Sequence, residues 1–272
     1  MNYPSCIHTH TPYCDGKSTM REMILRAIAL GYESLGFSPH SVLPYENGWA
    51  LTEESYKAYR EEFSRLREEF GDRIGLYAGI ELDADTPVCP GGLDYVIGAV
   101  HSLEKNGERF AVDYRRDLFA DVARRLYGGD FYALCRDYFA AYAEMALRPE
   151  VTVAAHFDLV TKYNGDGCFF DENDPRFLSP AFEAADRILE KRGGMIFEIN
   201  TGGMARAGRP CPYPAPPILR YLHERGASFI ITCDCHSAPL LGVGYDCALS
   251  LLRALDRPRL LIFRGGRFVP FC

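Results

Sequence analysis

A regular alternation of β-prone runs and helical patterns is the feature that most limits how this chain can fold. The β-prone runs cover residues 5–10, 33–40, 74–83, 94–101, 151–156, 195–200, 228–236 and 259–263. Such alternation predicts parallel strands joined by helical crossovers. About seven or eight of these units favour a closed or nearly closed β/α barrel, with an open doubly wound α/β sheet as the alternative.

The helical patterns between these runs have recognisable ends. Ser18 or Thr19 can cap a helix that Gly31 ends, and Thr52 begins another that Gly71 ends. Further helices are predicted over residues 116–127, 131–146, 181–191, 217–225 and 245–255. Because no linker, repeat or low-complexity segment interrupts the pattern, we expect a single domain over residues 1–272.

Charge and composition exclude several classes of function. The net charge is -7 and no basic stripe occurs, which argues against nucleic-acid binding through phosphate contacts. No apolar run is long enough to cross a bilayer, and the N-terminus lacks the pattern of a secretory signal. We therefore expect a cytoplasmic protein whose ten scattered cysteines stay reduced.

Potential metal ligands concentrate where the predicted strands end. In a β/α barrel, the ends of all parallel strands meet at one face, where the active site forms. The candidate ligands are His8, His10, Asp15, His40, Glu81, His101, His156, Asp234 and His236. Burying so many ionisable groups without a cation would cost several kcal/mol of desolvation and repulsion. Imidazoles and carboxylates together suit Zn²⁺, Mn²⁺ or Fe²⁺, so the pattern predicts a metal site.

Spacing within the set supports this prediction. His8 and His10 are two residues apart on an extended segment, so both rings project from the same face, and Asp234 and His236 repeat the pattern. The two oxygens of Glu81 can bridge two ions.

Several residues receive a purely structural interpretation instead. A single histidine at a strand end is more often a hydrogen-bonded structural group than a ligand, and only the whole set changes that balance. His223 lies on a predicted helix and is excluded. Cys233 and Cys235 alternate with the predicted ligands and should point into the packing, as should Cys6 and Cys14.

The motifs around these ligands resemble one known superfamily. The segments HTH at His8–His10, SPH at His40, GIELD at Glu81, GAVHSL at His101, AHFDL at His156 and CDCH at Asp234–His236 are similar to the polymerase-and-histidinol-phosphatase (PHP) superfamily. Residues 156–164, 198–219 and 234–252 look like its histidinol-phosphatase branch. The chain departs from relatives at Cys233 and Cys235, where Ser and Ala are frequent. The tract between His101 and His156 does not resemble the family, so no substrate contacts can be inferred for it from the resemblance.

The resemblance implies a fold, a cofactor and an activity. The fold would be a distorted seven-stranded, TIM-like β/α barrel holding three divalent ions per chain. The first ion would be bound by His8, His10, Glu81 and Asp234, the second by Glu81, His101 and His156, and the third by Asp15, His40 and His236. The implied reaction is hydrolysis of L-histidinol phosphate to L-histidinol and phosphate, a step of histidine biosynthesis. The alternatives are a phosphoesterase for another small monoester or nucleotide, or a non-catalytic metal-binding module.

Other residues are candidates for contacts with a phosphorylated substrate. Arg206 can bind a phosphate with two nitrogens, and Lys162 is a second basic candidate; the alternative for both is a solvated surface charge. Asn200 at a strand end is either a hydrogen-bonding residue of the pocket or a turn residue. Asp234 and His236 are also predicted catalytic residues. The leaving alkoxide needs a proton or a metal, and either Asp234 or a water held by the ions could supply the proton. The partner is expected to be a small phosphate ester, with no nucleic acid or membrane.

Overall fold

Strands and helices alternate as predicted in the computed structural model, which describes residues 3–271. Met1, Asn2 and Cys272 of the predicted domain lie outside the described residues. The strands are β1 (Ser5–Cys6), β2 (Ser34–Phe37), β3 (Gly75–Asp83), β4 (Tyr95–Ala99), β5 (Ser102–Lys105), β6 (Glu108–Ala111), β7 (Val153–Ala154), β8 (Ile196–Asn200), β9 (Ser228–Thr232), β10 (Arg259–Arg264) and β11 (Arg267–Pro270). The helices are α1 (Met20–Ala29), α2 (Glu53–Phe70), α3 (Arg116–Tyr127), α4 (Phe131–Ala146), α5 (Pro175–Lys191), α6 (Gly202–Ala207), α7 (Pro216–Glu224) and α8 (Tyr245–Arg253).

One mostly parallel sheet organises the fold. Its order is β1-β2-β3-β4-β7-β8-β9-β10-β11, and every neighbouring pair is parallel except the hairpin of β10 and β11. Within residues 3–271 the sheet therefore has nine strands, whereas the family resemblance implied seven. A parallel bridge between Thr9 and Cys235 joins the segments that follow β1 and β9.

The buried side chain of Tyr95 shows how strongly the sheet curves. A Cβ atom at Gly79 would lie 2.3 Å from the Tyr95 ring, and one at Gly36 would lie 2.2 Å from its hydroxyl oxygen. That hydroxyl donates a hydrogen bond to the carbonyl of Ile7, 2.5 Å away. The ring thus reaches from β4 past β3 and β2 to the segment after β1. Only glycine leaves room for it at the two intervening positions.

Helix ends agree with the signals in the sequence. Thr19 and Thr52 each accept a hydrogen bond from the backbone of the third helical residue, and Gly71 ends α2. Helices α3 and α4 have the predicted bounds. Helix α5 begins at residue 175 rather than 181, because Asp174 caps it and Pro175 occupies its first turn. None of the helices in the described part of the chain is long and apolar enough to cross a membrane.

The hairpin of β5 and β6 was not predicted. Its turn is Asn106-Gly107, and both residues have positive φ angles, 54° and 79°. This is the backbone conformation that Asn-Gly favours in two-residue hairpin turns. The short helix α6 and strand β11 were also absent from the sequence-based expectations.

Candidate metal centre

All nine predicted ligands meet at one end of the sheet. Each belongs to at least one group of three or four residues whose ligand atoms lie within 4.8 Å of one another. The groups are His10, Asp15, His40 and His236; His8, His156 and Asp234; His8, His10 and Glu81; and His40, Glu81 and His101. Apart from Asp15, whose side chain is 32% exposed, these residues are buried. We refer to the nine residues as the candidate centre.

Glu81 lies in the middle of the candidate centre and faces two sides. Its Oε1 atom is 2.9 Å from His156 Nε2 and 3.4 Å from His101 Nε2. Its Oε2 atom is 3.3 Å from His8 Nε2 and 3.5 Å from His10 Nε2. The Nδ1 atom of His40 lies 2.8 Å from the same Oε2 atom. The carboxylate therefore faces two imidazoles with one oxygen and three others with the second, as a bridge between two cations would require.

Asp15 and Asp234 occupy the other sides of the candidate centre. The Oδ2 atom of Asp15 lies 3.1 Å from His236 Nε2, and its Oδ1 atom lies 3.6 Å from His40 Nε2. Asp234 Oδ1 lies 3.2 Å from His10 Nε2. Each carboxylate thus faces imidazole nitrogens across a gap that a shared ion could fill.

Unpartnered polar atoms provide a test of whether these residues fit a cation. Buried atoms without a hydrogen-bond partner, within residues 3–271, include His8 Nε2, His10 Nε2, Asp15 Oδ1, His40 Nδ1 and Glu81 Oε2. They lie close to one another yet are not aligned for hydrogen bonds. A polar group that is buried without a partner is costly, and coordination to a cation would remove that cost. The donor set fits a divalent transition metal.

The ionisation of His10 and of Glu81 also suits metal binding. Burial, together with the neighbouring imidazoles of His236 and His40, lowers the pKa of His10 to about 3. Its ring is therefore neutral near pH 7 and its lone pair is available to a cation. Burial raises the pKa of Glu81, but the surrounding imidazoles, His40 and His8 first, outweigh it and hold that pKa well below the ordinary value. The carboxylate stays ionised.

Two further buried carboxylates orient the histidines, and sequence reasoning missed both. His8 Nδ1 lies 2.6 Å from Glu198 Oε1, and His101 Nδ1 lies 2.8 Å from Asp83 Oδ2. A carboxylate that accepts the second ring N–H of a histidine fixes which nitrogen faces the metal. A signal was available, because Asp83 follows Glu81 by two residues on β3 and therefore lies on the same face of the sheet.

Asn200 lies deeper than the sequence-based prediction assumed. Its amide nitrogen donates to Glu198 Oε2 at 2.9 Å, and its Oδ1 accepts from the backbone of Gly202 at 2.8 Å. The side chain is fully buried and does not line the cavity described below. Its contacts support Glu198 and the turn into α6, and its contact with substrate stays a prediction.

A cavity of about 700 Å³ opens directly onto the candidate centre. Arg206 and Lys162 both line it. Arg206 lies 2.5 Å from Asp234 Oδ2 and 3.0 Å from the ring nitrogens of His236. Lys162 Nζ lies 2.9 Å from Asp113 Oδ2. The structure thus brings both predicted basic residues to the same cavity as the candidate centre.

Loops and the β5–β6 hairpin form the outer part of this cavity. We call Glu46, Trp49, Asp113 and Tyr114 the outer wall; all four line the cavity. The ring of Trp49 packs edge-on against His40 at 4.7 Å between centroids. Tyr114 is 68% exposed. The outer wall is therefore more open to solvent than the candidate centre.

Polar contacts among Tyr45, Asp85 and Arg109, which we call the rim clasp, connect the loop before α2 to the β5–β6 hairpin. Tyr45 donates a hydrogen bond to Asp85 Oδ2 at 2.8 Å. Arg109, on β6, forms an ion pair with the same carboxylate and lies over the Tyr45 ring, 5.0 Å from its centroid. These contacts hold the segment that carries Trp49 beside β6.

The residues given structural interpretations do not belong to the ligand groups, although Cys14 Sγ lies 3.6 Å from His10 Nδ1. Cys6 Sγ and Cys233 Sγ are 3.5 Å apart and buried, and Cys235 Sγ contacts the backbone of Ser237. His223 is on α7. Within the described residues, none of these side chains belongs to a metal-capable group.

Comparison with known proteins connects this geometry to a family. Residues 7–202 match the model of the PHP domain. The "Probable histidinol-phosphatase" of Deinococcus radiodurans is 28% identical, and the match covers 97% of this chain and 95% of that protein. The histidinol-phosphatase of Bacillus subtilis is 23% identical, with 89% and 97% covered.

A solved structure shows the same fold. It is the histidinol phosphate phosphatase of Lactococcus lactis, complexed with Zn, L-histidinol and phosphate. It is 19% identical and has a TM-score of 0.71, with 98% of each chain covered. The match to the family model includes seven of the nine residues of the candidate centre, from His8 to His156. This chain belongs to the PHP domain family.

Proposed function

We propose that this chain is a metal-dependent phosphatase that hydrolyses L-histidinol phosphate to L-histidinol and phosphate. The observation that carries the proposal is the arrangement around Glu81, where the two carboxylate oxygens face different imidazoles beside a cavity with two basic side chains. The names of the full-length relatives from D. radiodurans and B. subtilis support the substrate.

The candidate centre supplies the residues that would hold the metal ions. We propose three divalent ions, Zn²⁺, Mn²⁺ or Fe²⁺, with Glu81 shared between the first two and Asp15 binding the third. Ions in these positions would activate a water molecule as the nucleophile and neutralise charge on the phosphate oxygens. Glu198 and Asp83 would hold His8 and His101 in the ring orientation that such binding needs.

Arg206 and Lys162 are the proposed phosphate contacts. The guanidinium of Arg206 has donors left over after its contacts with Asp234 and His236, and it is 30% exposed toward the cavity. Lys162 carries three donors, so it can keep Asp113 and still bind a phosphate oxygen. Both would stabilise negative charge as the ester bond breaks.

Asp234 and His236 are the proposed catalytic residues beside the phosphate. Asp234 lies between Arg206 and His10, and His236 lies between Arg206 and Asp15. Arg206 and the imidazoles hold the pKa of Asp234 well below its ordinary value despite burial, so in this arrangement it is a carboxylate. It would therefore act mainly by binding a metal ion and orienting the groups around it. The proton for the leaving alkoxide would come from a water molecule in the cavity.

The architecture proposed for this activity is a distorted seven-stranded barrel within one domain. The strands β1, β2, β3, β4, β7, β8 and β9 would form it, with β10 and β11 added outside. The bridge between Thr9 and Cys235 supports closure, because it joins the first and last of these strands near His8, His10 and Asp234. A cytoplasmic location stays a sequence-based prediction.

A substrate panel tests the proposal. Purified protein loaded with Zn²⁺ or Mn²⁺ should hydrolyse L-histidinol phosphate with a higher kcat/KM than glycerol phosphate, adenosine monophosphate or p-nitrophenyl phosphate. Negligible release of phosphate from L-histidinol phosphate beside strong turnover of another ester would overturn the substrate and leave the phosphoesterase chemistry intact. No turnover of any ester by metal-loaded protein would overturn both.

A further inference from the structure

Asp113 is a carboxylate of the cavity that the proposed reaction has not yet used. Among the described residues that line the cavity, the acidic side chains outside the candidate centre are Glu46 and Asp113. Glu46 is exposed, whereas the side chain of Asp113 is 20% exposed. An ion pair made by a partly buried carboxylate is screened less by water than one made on the surface.

The backbone around Asp113 is fixed from two sides. The amide of Val112 donates to the carbonyl of His101 at 2.9 Å, which ties the end of the hairpin to the candidate centre. The hydroxyl of Tyr163 donates to the carbonyls of Asp113 and Tyr114 at 2.8 and 2.7 Å. Asp113 therefore sits on a held segment of the cavity wall, although no regular strand or helix contains it.

The one hydrogen-bond partner of this carboxylate within residues 3–271 is a basic residue proposed to bind phosphate. Lys162 Nζ contacts Asp113 Oδ2, and Oδ1 makes no hydrogen bond to the described chain. An ionised carboxylate can accept about four hydrogen bonds, so Asp113 can bind a second cationic group while it keeps Lys162. With phosphate bound to Lys162 as proposed, Asp113 would lie next to the phosphate end of a substrate.

We propose that Asp113 binds the ammonium group of the substrate and so selects phosphate monoesters that carry an ammonium group over those that lack one. This inference rests on the proposed function, because L-histidinol phosphate carries a protonated primary amine close to its phosphate. Trp49 and Tyr114 line the same cavity and offer aromatic faces to the ring at the other end of the molecule. Asp113 is therefore a specificity-determining residue, distinct from the residues that hold metal or phosphate.

The test compares two esters in wild-type protein and Asp113→Asn. One ester is L-histidinol phosphate; the other is 3-(imidazol-4-yl)propyl phosphate, which lacks only the amine. Because the variant also weakens the contact with Lys162, any effect on phosphate binding lowers kcat/KM for both esters alike. Loss of the charge-assisted contact should lower kcat/KM for the amine-bearing ester by an additional factor of about 10 to 100, mainly through KM.

A control variant and a binding measurement complete the test. Asp137→Asn removes a similar ion pair, with Lys105 at 2.8 Å, from residues that do not line the cavity, and it should leave both esters unaffected. L-histidinol alone should inhibit hydrolysis of p-nitrophenyl phosphate at least about tenfold more weakly in Asp113→Asn than in wild type. Inhibition by inorganic phosphate should differ little between the two proteins.

The outcomes separate this inference from the proposed function. Equal losses for the two esters, or unchanged inhibition by L-histidinol, would overturn the role of Asp113. If wild-type protein does not hydrolyse L-histidinol phosphate, the proposed substrate fails. The inhibition by L-histidinol then still decides whether Asp113 binds an ammonium group.

Discussion

The candidate centre and the outer wall lie on the same cavity but are built in different ways. The centre takes its side chains from strands and the segments just after them, and its histidines are buried to 8% exposure or less. The outer wall comes from irregular segments beside the β5–β6 hairpin, and Tyr114 there is 68% exposed. Rigid elements can hold reactive groups in place, whereas loops can vary in what they recognise. We therefore expect changes in the centre to affect the chemistry, and changes in the wall to affect the choice of substrate.

The largest effect is expected from removing a ligand of the candidate centre. Replacing His10 or Asp234 with Ala removes a group that faces several ligand atoms, so kcat should fall by about a thousandfold or more for every ester. His223→Ala, which changes a histidine on α7, is the matched control and should keep its activity. Activity and bound metal, measured by mass spectrometry, check the result. Full activity in either ligand variant would disprove the metal mechanism.

Chelation should abolish activity and also change the signal of a nearby fluorophore. Trp49 is the single tryptophan of the chain, and its ring packs against His40 and His101. Metal binding to these imidazoles should alter its fluorescence, and re-addition of Zn²⁺, Mn²⁺ or Fe²⁺ should restore both fluorescence and turnover. Since the ions bind the folded state, they should also raise Tm. Activity that survives complete removal of metal, verified by elemental analysis, would contradict this prediction.

A smaller effect is expected from Glu198, which lies behind the candidate centre. Glu198→Gln keeps the shape but weakens the contact with His8 Nδ1, and the loss in metal affinity or kcat should be about 10- to 100-fold. Excess metal should restore part of the activity. A variant that had simply misfolded would not regain activity in this way. Glu190→Gln, an exposed change on α5, serves as the control. If both metal affinity and kcat were unchanged, Glu198 would have only a packing role.

The same contrast explains which features could be predicted from the sequence. Helical patterns located α3 and α4, and caps located the starts of α1 and α2. The position of His8, Glu81 and Asp234 at strand ends was sufficient to predict that they lie close together. The outer wall could not be assembled in this way, because Asp113 reaches the cavity through contacts with Lys162 and Tyr163 rather than through a repeating pattern. The Asn-Gly turn was a local signal of the hairpin that the prediction overlooked.

Asn200 and Glu198 show a second limit of sequence reasoning. Both lie on the same face of β8 at a spacing of two, so the pattern alone does not reveal which side chain reaches the cavity. In the structure, Glu198 accepts hydrogen bonds from His8, Thr232 and Asn200. The side-chain amide of Asn200 thus donates to Glu198, a contact that the sequence did not predict. Neighbouring elements that pack around a strand decide which of its side chains reaches the cavity. The sequence of that strand alone does not contain this information.

The smallest effect is expected from the rim clasp. Tyr45→Phe removes the hydrogen bond to Asp85 and leaves the ring under Arg109, so the segment that carries Trp49 should be held less firmly. A lost hydrogen bond of this kind should raise KM for L-histidinol phosphate by about two- to tenfold, with metal content and kcat little changed. Tyr221→Phe is the matched control, since it removes a hydrogen bond of the same length, 2.8 Å, to Asp186 away from this cavity. A fall in bound metal on Tyr45→Phe would mean that the outer wall also supports the candidate centre, and the division between chemistry and recognition would then be wrong.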